Sequence, residues 1–137
     1  NVGFTGSAST VAGPTGFTGS RGNTGTTGFT GSAGSNLIPQ SGTTKTASYT
    51  LTTNDAGDHI ELGTGGAITI PNSVFSAGDV VTLVNPTIDA KTITCSTTTT
   101  YISGINADKT SVSLRGRGIA TVFFVSSTQA IIIGAVI

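Results

Sequence analysis

Ile119-Ala120-Thr121-Val122-Phe123-Phe124-Val125-Ser126-Ser127-Thr128-Gln129-Ala130-Ile131-Ile132-Ile133-Gly134-Ala135 is the stretch whose reading decides the fold. Two runs of β-branched and aromatic residues flank a small polar step, which is the signature of a β-hairpin. The pattern predicts strands over Ile119–Ser126 and Gln129–Ala135, turning at Ser126-Ser127-Thr128. Val122 to Val125 and Ile131 to Ile133 run without alternation. A strand apolar on both faces must be covered on both faces. A small domain has limited interior with which to do that. The hairpin therefore points to a subunit interface, with Val122, Phe124, Ile131 and Ile133 as its candidate residues.

Outward from the hairpin, period-two alternation continues upstream. It predicts strands at Ala47–Thr53, His59–Leu62, Ala67–Ile70, Asp79–Asn85, Lys91–Ser96 and Ser111–Arg115. Turn chemistry separates them: Asn54-Asp55-Ala56-Gly57, Gly63-Thr64-Gly65-Gly66, Asn85-Pro86 and Gly116-Arg117-Gly118. No stretch carries a helical apolar face. Short, regularly spaced strands predict an all-β domain over residues 47–137, an antiparallel sandwich or jelly-roll-like fold. Residues 37–46 read as a linker.

Before that linker the grammar is different. Gly13, Gly16, Gly19, Gly22, Gly25, Gly28, Gly31 and Gly34 fall at strict period three. Gly3 and Gly6 share the spacing, but one extra residue between Gly6 and Gly13 slips the phase. Gly-Phe-Thr-Gly-Ser also recurs at 3–7, 16–20 and 28–32. Three polyproline-II chains wound together admit only hydrogen at their axis, so every third residue must be glycine. A flexible Gly/Ser linker has no reason to hold that phase. Residues 1–36 thus read as a collagen-like stem, and Gly13 to Asn36 would form a rod of roughly 70 Å. Pro14 is the stem's only proline, so little of its backbone is pre-set and the rod is intrinsically weak. Phe17 and Phe29 point outward, to pack along a neighbouring chain's groove or to touch another protein. A triple helix needs three chains, so a homotrimer is the economical assembly.

Composition excludes several classes. The chain has 137 residues, six basic and six acidic, for a formal net charge of zero. That leaves no electrostatic footprint for nucleic acid. No apolar run approaches the roughly 20 residues of a membrane-spanning helix, so no membrane insertion is expected. One cysteine and one histidine exclude an intrachain disulfide framework and a Cys/His metal cluster. The chain begins without an initiator methionine, and residue 1 reads as internal to something longer.

Tyr49-Thr50-Leu51-Thr52-Thr53-Asn54-Asp55-Ala56-Gly57-Asp58-His59-Ile60 resembles the opening of a domain repeated in structural and fibre proteins of marine tailed phages, especially cyanophages. Gly65-Gly66-Ala67-Ile68-Thr69-Ile70-Pro71 and Val74-Phe75-Ser76-Ala77-Gly78-Asp79-Val80-Val81-Thr82 continue the likeness. Arg117-Gly118-Ile119-Ala120-Thr121-Val122 and Ile132-Ile133-Gly134-Ala135 are similar to the family's ending. The likeness runs in order over about residues 48–137, and the Gly-Phe-Thr-Gly-Ser stem looks like the spacer found before such domains. The resemblance implies a virion fibre or appendage subunit: trimeric, non-enzymatic, built into the particle beside other virion proteins, with a β-structured head. The same architecture serves a receptor-binding adhesin that meets a host-surface glycan or receptor. A bacterial collagen-like surface protein is a third reading.

Candidate chemistry is sparse. His59 and Asp58 are strand neighbours and would point to opposite faces. Cys95 lies in a strand with no basic neighbour to lower its pKa, and reads as a small apolar residue. Asn54, Asp55 and Asp58 lack the spacing of a calcium loop, and turn chemistry accounts for them. Glu61 has no partner carboxylate for glycoside hydrolysis. No catalytic site, cofactor or metal is expected. Arg115 and Arg117 form the one basic feature, either a solvated turn or a contact for an acidic group. Thr97–Thr100 followed by Tyr101 reads as a polar loop whose aromatic ring could stack on sugar.

Overall fold

The computed structural model describes residues 37–137, together with Gly3, residues 13–16, Gly19, Gly22 and Gly25. The chain divides into two units, Asn1–Ala33 and Gly34–Ile137. The stem expectations at Gly6, Gly28, Gly31, Gly34, Phe17 and Phe29 lie outside the described residues.

The second unit is all-β, with no α-helix among the described residues. Its strands are β1 (Ser48–Thr50), β2 (His59–Glu61), β3 (Ala67–Ile70), β4 (Val80–Asn85), β5 (Lys91–Cys95), β6 (Thr99–Ile102), β7 (Ser111–Leu114), β8 (Gly118–Ser126) and β9 (Gln129–Gly134). They form a four-stranded sheet, β1-β3-β5-β7, and a five-stranded sheet, β2-β4-β8-β9-β6. One apolar core fills the space between them. Ile68, Ile70, Ile93, Val112 and Leu114 enter it from the first sheet. Ile60, Val81, Leu83, Val122, Phe124 and Ile132 enter it from the second. Phe75 lies in a loop and stacks on Phe124, with ring centroids 4.1 Å apart.

The expectation of an antiparallel sandwich or jelly roll is corrected: both sheets are mixed. β1–β3, β3–β5, β2–β4 and β6–β9 pair parallel, while β5–β7, β4–β8 and β8–β9 pair antiparallel. The reason lies in the route of the chain. From β1 to β8 every strand is followed by one in the opposite sheet. A strand and the next but one can then run in the same direction, with the opposite sheet serving as the crossover. Only β8 and β9 are consecutive partners, and they form the expected hairpin, with a register shift between Phe124 and Ser126.

Three further differences matter. Thr97–Thr100 is not a free loop: Thr99 opens β6, an edge strand, and Thr97 and Thr100 are buried and hydrogen-bonded to each other. Residues 37–46, read as a linker, include a segment bonded along β2. His59 N–H donates to Pro39 O at 2.8 Å, and Lys45 N–H donates to Glu61 O at 2.8 Å. The third difference is that two polar side chains hold the loops from inside the fold. Asn85 is buried; its Nδ2 donates to Asp89 O at 2.8 Å and Arg115 O at 3.0 Å. Its Oδ1 accepts from Thr87 Oγ1 at 2.7 Å, so one amide ties the β4–β5 turn to the β7–β8 turn. Gly116 completes that junction, because a Cβ there would lie 2.0 Å from Ile88 O.

Asp55 is the other anchor and is fully buried. Its carboxylate accepts from Ser41 Oγ, Thr52 N–H (2.7 Å) and Tyr49 Oη (3.0 Å). Burial alone would raise its pKa, but the bonds from Ser41, Thr52 and Tyr49 together outweigh it and hold the group below its ordinary value.

Candidate functional site

Strand alternation gives each sheet an outer face, and the two faces differ in kind. On the four-stranded sheet the register aligns Thr50, Thr69, Thr94 and Ser111 in one cross-strand row. Thr92 and Ser113 pair in the row beside it. The outward positions of β1, β5 and β7 are all serine or threonine, and Ala67 on β3 is the one apolar outward residue of the sheet. A hydroxyl exposed on such a face satisfies itself with water and calls for no protein partner.

On the five-stranded sheet the corresponding row is Val80, Phe123, Ile131 and Tyr101. Phe123 is 37% exposed and Val125 38%. Towards the other end of the sheet Ile119 is 57% exposed and Ile133 49%, with Val84 paired to Ile119. These side chains make an apolar face on β4, β8 and β9 that stays joined through Ile131 and Ile133 on β9, while Thr82 and Thr121 form a polar row across β4 and β8. Faces of this kind mark interaction sites when they are contiguous rather than scattered.

The interface residues expected from the sequence are corrected accordingly. Val122 and Phe124 are fully buried in the protomer's own core and have no surface to offer. Ile131 is half-buried and Ile133 exposed, both on the outer face. The outward partners of the first two are Phe123 and Val125, one residue along the same strand. An unbroken apolar run hides which residue faces which sheet, and only register settles it.

At the β6 edge the outer face borders an open cavity of about 510 Å³, lined by Thr99, Tyr101, Ile105, Asn106 and Asp108 among others. Backbone bonds stiffen its loop: Ile105 N–H donates to Ile102 O at 2.9 Å and Lys109 N–H to Thr100 O at 2.6 Å. Among the described residues the polar ends of Tyr101, Asn106 and Asp108 have no side-chain partner. The cavity thus offers an aromatic ring, an amide and one carboxylate in a half-apolar setting. The sequence singled out Tyr101 with the Thr97–Thr100 run that holds Thr99; nothing in its pattern linked them to Asn106 and Asp108.

The remaining candidates are occupied by structure or left in solvent. His59 Nδ1–H donates to Ile38 O at 2.8 Å, which fixes the ring against backbone. Glu61 accepts from Thr44 Oγ1 at 2.9 Å. Cys95 is buried in the core, and burial raises its thiol pKa. Arg115 and Arg117 are exposed at the β7–β8 turn, with no ion pair among the described residues. No group of three potential metal ligands occurs among the described residues.

The described stem glycines carry a separate observation. At Gly13, Gly16, Gly19, Gly22 and Gly25 an added Cβ would meet nothing within 4 Å, and none has a left-handed φ. Within one chain these positions have no need of glycine. Gly65, Gly66, Gly116 and Gly134 differ, since a Cβ at each would press on backbone at under 3.0 Å. Comparison with protein-family models, with curated proteins and with solved structures finds no match to this chain.

Proposed function

We propose that this chain is a structural subunit of a phage virion fibre or appendage, in which a collagen-like stem acts as spacer and the β-head serves assembly. The carrying observation is the period-three glycine, at positions where a single chain would accept alanine. Three chains packed on one axis supply the missing demand for glycine. The subunit is then a homotrimer, its partners are its own copies and other virion proteins, and it performs no catalysis.

Gly25→Ala tests this reading on the full chain. In a lone flexible stem the substitution is silent. In a triple helix it lowers the melting of the stem's circular-dichroism signal while the β signal persists. A monomeric full chain by light scattering, with no stem melting transition, ends the proposal.

A second reading, that the head also attaches to a host-surface glycan, is favoured by the cavity at Tyr101, Asn106 and Asp108. Saccharide rings stack on aromatic faces and present hydroxyls that carboxylate and amide groups bind. Tyr101→Ala and Asp108→Ala should each abolish binding of the trimer to host cell-surface polysaccharide. Attachment no stronger than that of an unrelated trimer excludes this role.

A further inference from the structure

We infer that the apolar outer face of the five-stranded sheet, centred on Ile119, Phe123, Val125 and Ile133, is the surface through which three copies of this chain bind one another. The inference rests on the three-chain reading of the stem and names the part of the head that answers it.

Three observations converge. The face is apolar over its middle strands, with four large side chains between 37% and 57% exposed. The outer face of the four-stranded sheet presents hydroxyls, so apolar outward residues are not a general habit of the strands. The stem repeat calls for three parallel chains, which identifies the occupant as further copies of the same chain.

The energetics favour the same occupant. No charged side chain stands among the outward positions of β8 and β9, so burying them leaves no stranded charge. Three such faces turned toward one axis close on themselves, whereas a non-closing arrangement would grow without limit.

The test uses the full chain in the Gly25→Ala background, above the temperature at which the stem's circular-dichroism signal is lost. Mass by sedimentation equilibrium then reports the heads alone. The unsubstituted face should remain trimeric. Phe123→Lys combined with Ile133→Lys should weaken association at least tenfold and give monomer with its β signal intact. Ile119→Lys is the second variant should that pair fail to fold. Thr94→Lys places the same charge on the hydroxyl face and should leave the trimer unchanged. Trimers that persist in both face variants overturn the inference, as does a ladder of species larger than three. Heads that separate without any substitution, from a chain trimeric when cold, overturn the face and leave the stem reading intact. A chain monomeric at every temperature removes both.

Discussion

The two outer faces of the head belong to sheets packed on one core, yet one presents Thr50, Thr69, Thr94 and Ser111 and the other Val80, Phe123, Ile131 and Tyr101. Both inner faces supply the one apolar core, so folding a single protomer does not explain the difference. A face left in water gains nothing from apolar side chains and risks aggregation. The contrast teaches that β8 carries two side-chain sets on alternate residues, one that packs the core and one that the core does not use.

Adjacent phenylalanines give the largest effect with which to break that comparison. Phe124→Ala removes a fully buried ring stacked on Phe75 and should cost about 3–5 kcal/mol in urea unfolding. Phe123→Ala should cost far less at protein concentrations where the chain is monomeric. Equal losses at both positions would mean that the two sides of β8 are not separate.

Asn85→Ala asks whether a polar pin joins what the apolar core does not. It strands Arg115 O and the Thr87 N–H, leaving Asp89 O to the Thr87 hydroxyl alone, and should cost about 3 kcal/mol at an unsatisfied-group penalty of ~1–3 kcal/mol. Proteolytic nicking in the Thr87–Ala90 turn should rise with it. Resistance to nicking in a destabilised variant would show that the turn is held by something else.

Acid should weaken the head through Asp55. Its folded pKa is depressed, so its contribution is complete above the unfolded carboxylate value of about 4 and is lost as pH falls through the folded value. The urea midpoint should drop as pH falls below about 4, and Asp55→Asn should flatten that profile. An unchanged profile in the variant would assign the acid sensitivity to other carboxylates.

The smallest effect belongs to the hydroxyl face. Thr69→Val with Thr94→Val should shift stability by no more than about 0.5 kcal/mol per site, as surface changes do. The new apolar row should nonetheless promote association beyond that of the unsubstituted chain, visible by sedimentation velocity. If it does not, apolar character alone fails to make a face adhesive, and the comparison needs shape as well.

Much of the head is legible in its sequence. Seven of the observed strands sit within a residue or two of their expected bounds, and β1 lies in the first part of its expected segment. β6 was missed because Thr97–Thr100 has no apolar alternation; its inward threonine, Thr100, satisfies itself with Thr97 inside the fold. Parallel pairing was missed because local turn chemistry says where a strand ends and nothing about which sheet receives the next. The cavity at Tyr101 was half legible, since its ring was visible and its polar companions were brought by the loop after β6.

By itself the sequence determined the change of grammar near residue 37, the period-three glycine before it, and the short β elements after it. Those are properties of local period, and local period is written in one dimension. The tertiary structure alone decided that Phe124 faces the core and Phe123 the outside, that Asn85 and Asp55 are interior anchors, and that one sheet is clothed in hydroxyls and the other in hydrocarbon. Each of these depends on which strand lies beside which and in what register. A shift of one residue exchanges the faces without altering the composition.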